Sequence, residues 1–290
     1  MALNLRTVLW LGFFATILWA WWFLYTTAMS MGVDWIGRPG DLMASGSMSG
    51  DGAMTGGAMD GGTMTGGAMD GGADGMSGDA MGGMVMSMTG FATLFPMWSI
   101  MMAAMMLPTM VPTLRAYEDL MVSANGTRAG WVGVLLGFFI VWVAFAALIS
   151  GVQIALLASG LIDGMGIARS TLFAGGLLML VGAFQFTRAK DICHGVCHAP
   201  MTYFLGNWQP GTLGGLRMGL WLGAFCVGCC WGFMVLGFVG GVMSLLWMGL
   251  ATLFMVVEKL PQVGHVVTRP MGAILLIAGL GVIVWGFTGG

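Results

Sequence analysis

Apolar runs long enough to cross a bilayer recur along this chain, and no other feature limits its fold so tightly. A spanning helix needs roughly 20 apolar residues. Such runs lie at about 8–28, 91–114, 131–158, 171–187, 216–239, 245–257 and 271–287, the sixth being short. Only 8% of the 290 residues are charged and 58% are hydrophobic, whereas soluble domains carry about 25% charged residues. That leaves too little polar surface to face water all round, so lipid must be the solvent. The pattern predicts an all-α, polytopic membrane bundle of seven transmembrane helices. A net charge of −2 without a basic patch excludes nucleic-acid binding. The chain has no phosphate-binding loop and no phosphorylation motif, which excludes a nucleotide-driven pump.

The first run, with Arg6 before it, is longer than the apolar core of a secretory signal and rich in Trp. It therefore reads as an uncleaved signal anchor over 1–29. Residues 30–88 change character, being mostly Gly, Met, Asp, Ala, Ser and Thr. Four pentads, GAMTG, GAMDG, GTMTG and GAMDG, stand in series over 52–71. Such material cannot bury enough apolar surface to fold, so a disordered tether is expected. A neutral spacer would need Gly and Ser but not the 13 methionines between Met29 and Met88. Residues 89–290 form the remaining six-helix membrane domain. With the N-terminus inside, eight basic residues fall in inner segments (Arg6, Arg115, Arg128, Arg188, Lys190, Arg217, Lys259, Arg269) and two in outer ones (Arg38, Arg169). By the positive-inside rule the Met-rich loop faces outwards, into the periplasm if the host is a bacterium and the membrane its inner one.

Sulfur is the second unusual feature, with 30 Met and all 5 Cys in two tight groups. Met97, Met101 and Met105 recur every four residues and stack on one face of the second helix, with Met102 and Met106 beside them and Met110 beyond. Thioethers remain neutral and hold soft cations such as Cu(I), although Met also serves as adaptable packing. Cys226, Cys229 and Cys230 have spacings of three and four in the middle of the fifth span, which puts three sulfurs on one side of a helix. That arrangement suits a trigonal thiolate site, or a dithiol–disulfide couple using Cys226 and Cys229. Cys193-His194 and Cys197-His198 repeat four residues apart in the expected inner loop after the fourth span. They offer sulfur and imidazole to copper or zinc. Glu258 and Lys259 close the sixth span and are expected to form an ordinary ion pair or to snorkel to the surface. His265 is assigned no role. Pro96, Pro108 and Pro112 are expected to kink or end the second helix and free carbonyl groups.

Three blocks in order, MWSIMMAAMMLPTMVP, RAKDICHGVCHAP and GAFCVGCCWGFMVLGFVGGVMSLLWM followed by Glu258-Lys259, resemble the metal-binding integral membrane proteins of the DUF2182 family. The resemblance runs from about Phe91 to the C-terminus and implies a helical membrane protein with a metal site. The family's blocks fall on Met101, Met102, Met105 and Met106, on Cys193 and Cys197, and on Cys226, Cys229 and Cys230. His194, His198 and the long Met/Gly/Asp insertion depart from the family pattern.

Together these features predict a soft-metal protein, with copper as Cu(I) the expected ion and zinc an option at the Cys-His pairs. Met54, Met59, Met64 and Met69 would collect the ion and the helix sites would hold or relay it. Expected partners are the bilayer, the metal, and a periplasmic copper chaperone or membrane cuproenzyme. The competing expectations are a membrane thiol–disulfide oxidoreductase passing electrons between the two Cys clusters, an accessory subunit of a membrane complex, and a scaffold in which Met is filler.

Overall fold

A computed structural model describes residues 5–30, 90–121, 123–124, 126–260 and 264–288, with His265 described by its backbone alone. The Met-rich loop expected over 30–88 lies outside the described residues, apart from Ser30 at the end of the first helix.

The described elements are helical, with one isolated bridge between Ile162 and Ala168. In chain order they are α1 (Leu5–Ser30), α2 (Phe91–Met106), a 3₁₀ turn (Pro108–Met110), α3 (Val111–Met121), α4 (Arg128–Ala158), α5 (Thr171–Phe184) and α6 (Arg188–His198). After these come α7 (Pro200–Asn207), α8 (Gly211–Val235), α9 (Gly237–Gly240), α10 (Leu245–Glu258) and α11 (Gly264–Thr288). Among the described residues five stretches are long and apolar enough to cross a membrane: Leu5–Ser30, Phe91–Met121, Arg128–Ala158, Gly211–Gly240 and Val266–Thr288. The pair α5 and α6 makes a sixth if its 66° bend is counted as part of one span. The protein is thus a helical, membrane-embedded bundle, as the apolar runs predict.

The count of seven spans is corrected. α10 has 14 residues, about 21 Å at 1.5 Å per residue, which falls short of a hydrocarbon core of roughly 30 Å. α5 is equally short, and after residues 185–187 the chain turns by 66° into the polar helix that starts at Arg188. Thr187 caps the new helix by accepting a hydrogen bond from the Lys190 amide. The Cys-His segment expected as a loop is therefore helix α6. Its buried face carries Lys190, His194 and Cys197 and packs on α8.

Glycine sets how closely the long helices approach. On α4, a Cβ at Gly133 or Gly137 would run into the backbone carbonyls of Thr212 and Leu216 on α8. On α8, a Cβ at Gly215 or Gly219 would run into the carbonyls of Gly130 and Val134 on α4. Small residues at such spacing let membrane helices touch backbone to backbone. Gly175 and Gly182 meet Gly279 and Gly272 in the same way between α5 and α11.

The proline expectation has a specific outcome. Pro96 is accommodated inside α2, while Pro108 ends it. Pro108 lacks the N–H that would bond the Ala104 carbonyl four residues back. The indole of Trp21 donates to that carbonyl instead, at 3.0 Å, and so ties α1 to α2. At the other end of α1, Arg6 pairs with Glu118 at 3.1 Å, and Arg128 holds the second oxygen of the same carboxylate.

A candidate thiol metal centre

α8 brings Cys226, Cys229 and Cys230 to the face that α6 covers, and all three are buried. α6 adds a fourth sulfur. Cys197 is buried beside them, with its Sγ 3.9 Å from Cys229 Sγ. Cys229 Sγ is also 3.3 Å from Cys230 Sγ. No two of these sulfurs are joined; all five cysteines are free thiols. The Sγ atoms of Cys197, Cys226 and Cys229 lie within 4.8 Å of one another. With metal–sulfur bonds of about 2.3 Å, a planar three-coordinate ion needs sulfurs about 4 Å apart. The triad is close to that spacing, so it can hold a soft cation.

Cys193, one turn before Cys197, is only partly buried and lies at the edge of the cluster. Its Sγ occupies the space that a Cβ on Gly228 would need. Gly228 is thus the opening in α8 through which α6 packs closely. The two histidines stand side by side, with ring centroids 5.3 Å apart. Nε2 of His194 lies 2.8 Å from the carbonyl of Glu258, which engages that ring nitrogen away from the sulfurs.

The charges at the end of α10 also differ from expectation. Lys259 does not snorkel. It is 6% exposed, and its Nζ donates to Cys226 Sγ at 3.0 Å and to Thr109 Oγ1 at 2.8 Å. Glu258 does form an ion pair, but a buried one. Its Oε1 lies 2.9 Å from Nζ of Lys190, both side chains being at most 1% exposed. Lys190 also donates to the carbonyl of Cys229 at 2.8 Å, and Thr268 donates to Glu258 at 2.9 Å. Two ammonium groups therefore contact the thiol cluster or the backbone that carries it, and one carboxylate pairs with the Lys190 ammonium. Thr109, Lys190 and Thr268 were not foreseen as part of this site. For Lys190 a signal existed, since positions 190, 194 and 197 share one helical face.

Met101, Met102, Met105, Met106 and Met110 are all buried, and Met97 is half-buried. Met101 and Met105 line a small cavity together with Phe233 and Met234 of α8. The methionine stripe and the cysteine-bearing helix thus face each other.

These features define a membrane-embedded helical protein with a buried thiol triad able to bind a metal ion. A sequence model of a copper chaperone family, PpoB2, matches residues 95–282 of the 290. The chain belongs to that family, which is equivalent to the DUF2182 group that its Met and Cys blocks resemble. No curated protein and no solved structure matches the chain.

Proposed function

We propose that this copper chaperone family member binds Cu(I) between the sulfurs of Cys197, Cys226 and Cys229 and hands it to a copper enzyme or a second chaperone. The observation that carries the reading is the convergence of three buried sulfurs from two helices within 4.8 Å. Thiolate is the preferred ligand of Cu(I). An anionic metal–thiolate centre inside a bilayer needs a compensating charge nearby, and Lys259 stands in contact with Cys226. In the proposed orientation the N-terminus lies in the cytoplasm of a bacterium and the loop at 30–88 in the periplasm. Met54, Met59, Met64 and Met69 would then gather the ion. α1 stays attached as a signal anchor, a reading supported by its ties to Ala104 and Glu118.

The test is a titration of the purified full-length protein with Cu(I) against a chromogenic chelator. Replacing Cys197, Cys226 and Cys229 by Ser should remove one bound equivalent. Unchanged stoichiometry and affinity in that variant would refute the assignment.

One contact favours a second reading, a thiol–disulfide couple. Cys197 and Cys229, from separate clusters, are 3.9 Å apart. Their oxidation would join the two sulfurs and release two protons and two electrons to an acceptor such as a quinone. Differential alkylation and mass spectrometry would find a Cys197–Cys229 disulfide in membranes if this reading holds, and free thiols throughout if it does not.

A further inference from the structure

Three helices present faces that run in register away from the thiol cluster. On α8, Cys226, Cys230 and Met234 follow one another at intervals of four. On the chain through α2 and the 3₁₀ turn, Met101, Met105 and Thr109 do the same. On α10, Met248, Met255 and Lys259 are seven and four residues apart. At one end these faces meet, because Lys259 Nζ contacts both Thr109 and Cys226. At the other end they meet again around the cavity lined by Met101, Met105, Met234, Met248, Phe233 and Trp247. Met234 lies five residues beyond Cys229 and eight beyond Cys226 on α8, about 8 and 12 Å of helix rise, so the cavity lies roughly that far along the bundle from these two cysteines.

We propose that Met101, Met105, Met234 and Met248 form a second Cu(I) site built of thioethers. The proposal rests on the copper reading above and adds a distinct place for the ion. Protein interiors are close-packed, and methionine is the residue that most readily fills irregular space. Four methionines around a cavity with room for about one water-sized sphere depart from that habit. The cavity lies beside aromatic rings that can favour a monovalent cation. Among the described residues no carboxylate, imidazole or hydroxyl side chain lines it, so hard cations such as Mg²⁺ or Ca²⁺ find no side-chain oxygen from them. Neutral thioethers bind Cu(I) without releasing protons, unlike thiols, whose metal affinity falls as pH is lowered.

The two sites are separable in one experiment on the full-length protein in detergent. Cu(I) stoichiometry would be measured at pH 7.5 and pH 5.5 for the native chain, for M234L/M248L and for C197S/C226S/C229S. Met→Leu nearly conserves volume and is among the best tolerated core changes. The loop methionines contribute equally to all three proteins, so differences report only the altered site. The expected result is that M234L/M248L lacks one equivalent at both pH values and keeps the cysteine-bound ion. The cysteine variant should keep the ion that M234L/M248L loses. If M234L/M248L binds as many ions as the native chain, the thioether site is refuted and the cysteine assignment stands. If only the cysteine variant is unaffected, the converse holds. As a check that needs no folded double variant, native protein labelled with ¹³C-methyl methionine would be titrated with Cu(I), using M234L and M248L singly to assign signals. The Met234 and Met248 methyl resonances should shift, and their failure to move would equally overturn the proposal.

Discussion

At the scale of single residues, the most consequential side chains are two lysines that a membrane protein would ordinarily keep at its edges. Lys190 and Glu258 are both at most 1% exposed and 2.9 Å apart. Removing one partner of a buried pair leaves an uncompensated charge, typically at a cost of about 3–5 kcal/mol. K190M or E258Q alone should therefore lower stability by that order, measured by denaturant unfolding in detergent, and K190M/E258L should recover most of the loss. Lys259 has a different task, because its ammonium donates to a sulfur of the triad. A hydrogen bond to a charged group contributes about 1.5–3 kcal/mol, so K259M should weaken Cu(I) binding roughly ten- to a hundredfold, while K259R retains most of it. Chelator competition on both variants measures this; equal affinities for K259M and the native protein would deny Lys259 that role.

The same residues explain what the amino-acid order could disclose. Cys226, Cys229 and Cys230 were readable as one group because spacings of three and four fix a helical face whatever the surroundings. Which of Cys193 and Cys197 turns inward depends on the 66° corner between α5 and α6, and no local pattern specifies that angle. Lys259 looked like a surface anchor because the sequence shows a charge at a helix end but not the Thr109 hydroxyl waiting 2.8 Å away. Met234 and Met248 were invisible for another reason. Met234 continues the four-residue interval of Cys226 and Cys230, but a single methionine on an apolar face reads as packing until three helices meet around it.

At the scale of elements, the bundle depends on absent side chains. Gly219 faces the Val134 carbonyl across the α4–α8 seam, so a Cβ there would collide with backbone that cannot step aside. G219V should abolish the folded, monodisperse protein. Gly151 and Gly176 have nothing within 4 Å of the space a Cβ would take. G151A or G176A should be harmless or add about 0.5–1 kcal/mol of stability, since Gly is the costlier residue inside a helix. Size-exclusion profiles and thermal unfolding of the three variants make the comparison. The helix-level reading of the sequence was accurate for long runs and weaker for short ones. α4 and α8 carry unbroken apolar stretches, whereas α6 is polar and short, and its helical state rests on the Thr187 cap and on packing against α8.

At the scale of the whole molecule, the ends of the bundle differ chemically. The Arg6, Glu118 and Arg128 cluster marks one end of α1, and the other end leads through Ser30 into the Met-rich loop. In the orientation proposed above, the first end lies in the cytoplasm. A single cysteine placed at position 59 in a chain without its native cysteines should accordingly react with a membrane-impermeant maleimide in intact spheroplasts. One placed at position 126 should react only after lysis, and the reverse pattern would invert the topology.

The corner between α5 and α6 has one more consequence. Two sulfurs of the triad ride on the long rod α8, and the third is delivered by a short arm attached at an elbow. If the triad holds Cu(I) as proposed, an outward swing of that arm would strip a single ligand and leave the ion two-coordinate, open on one side to an incoming acceptor. On that proposal, grip and surrender would fall to different pieces of the chain. The tempo of handover would be tuned at the elbow, through Gln185, Phe186 and Thr187, without altering a single donor atom.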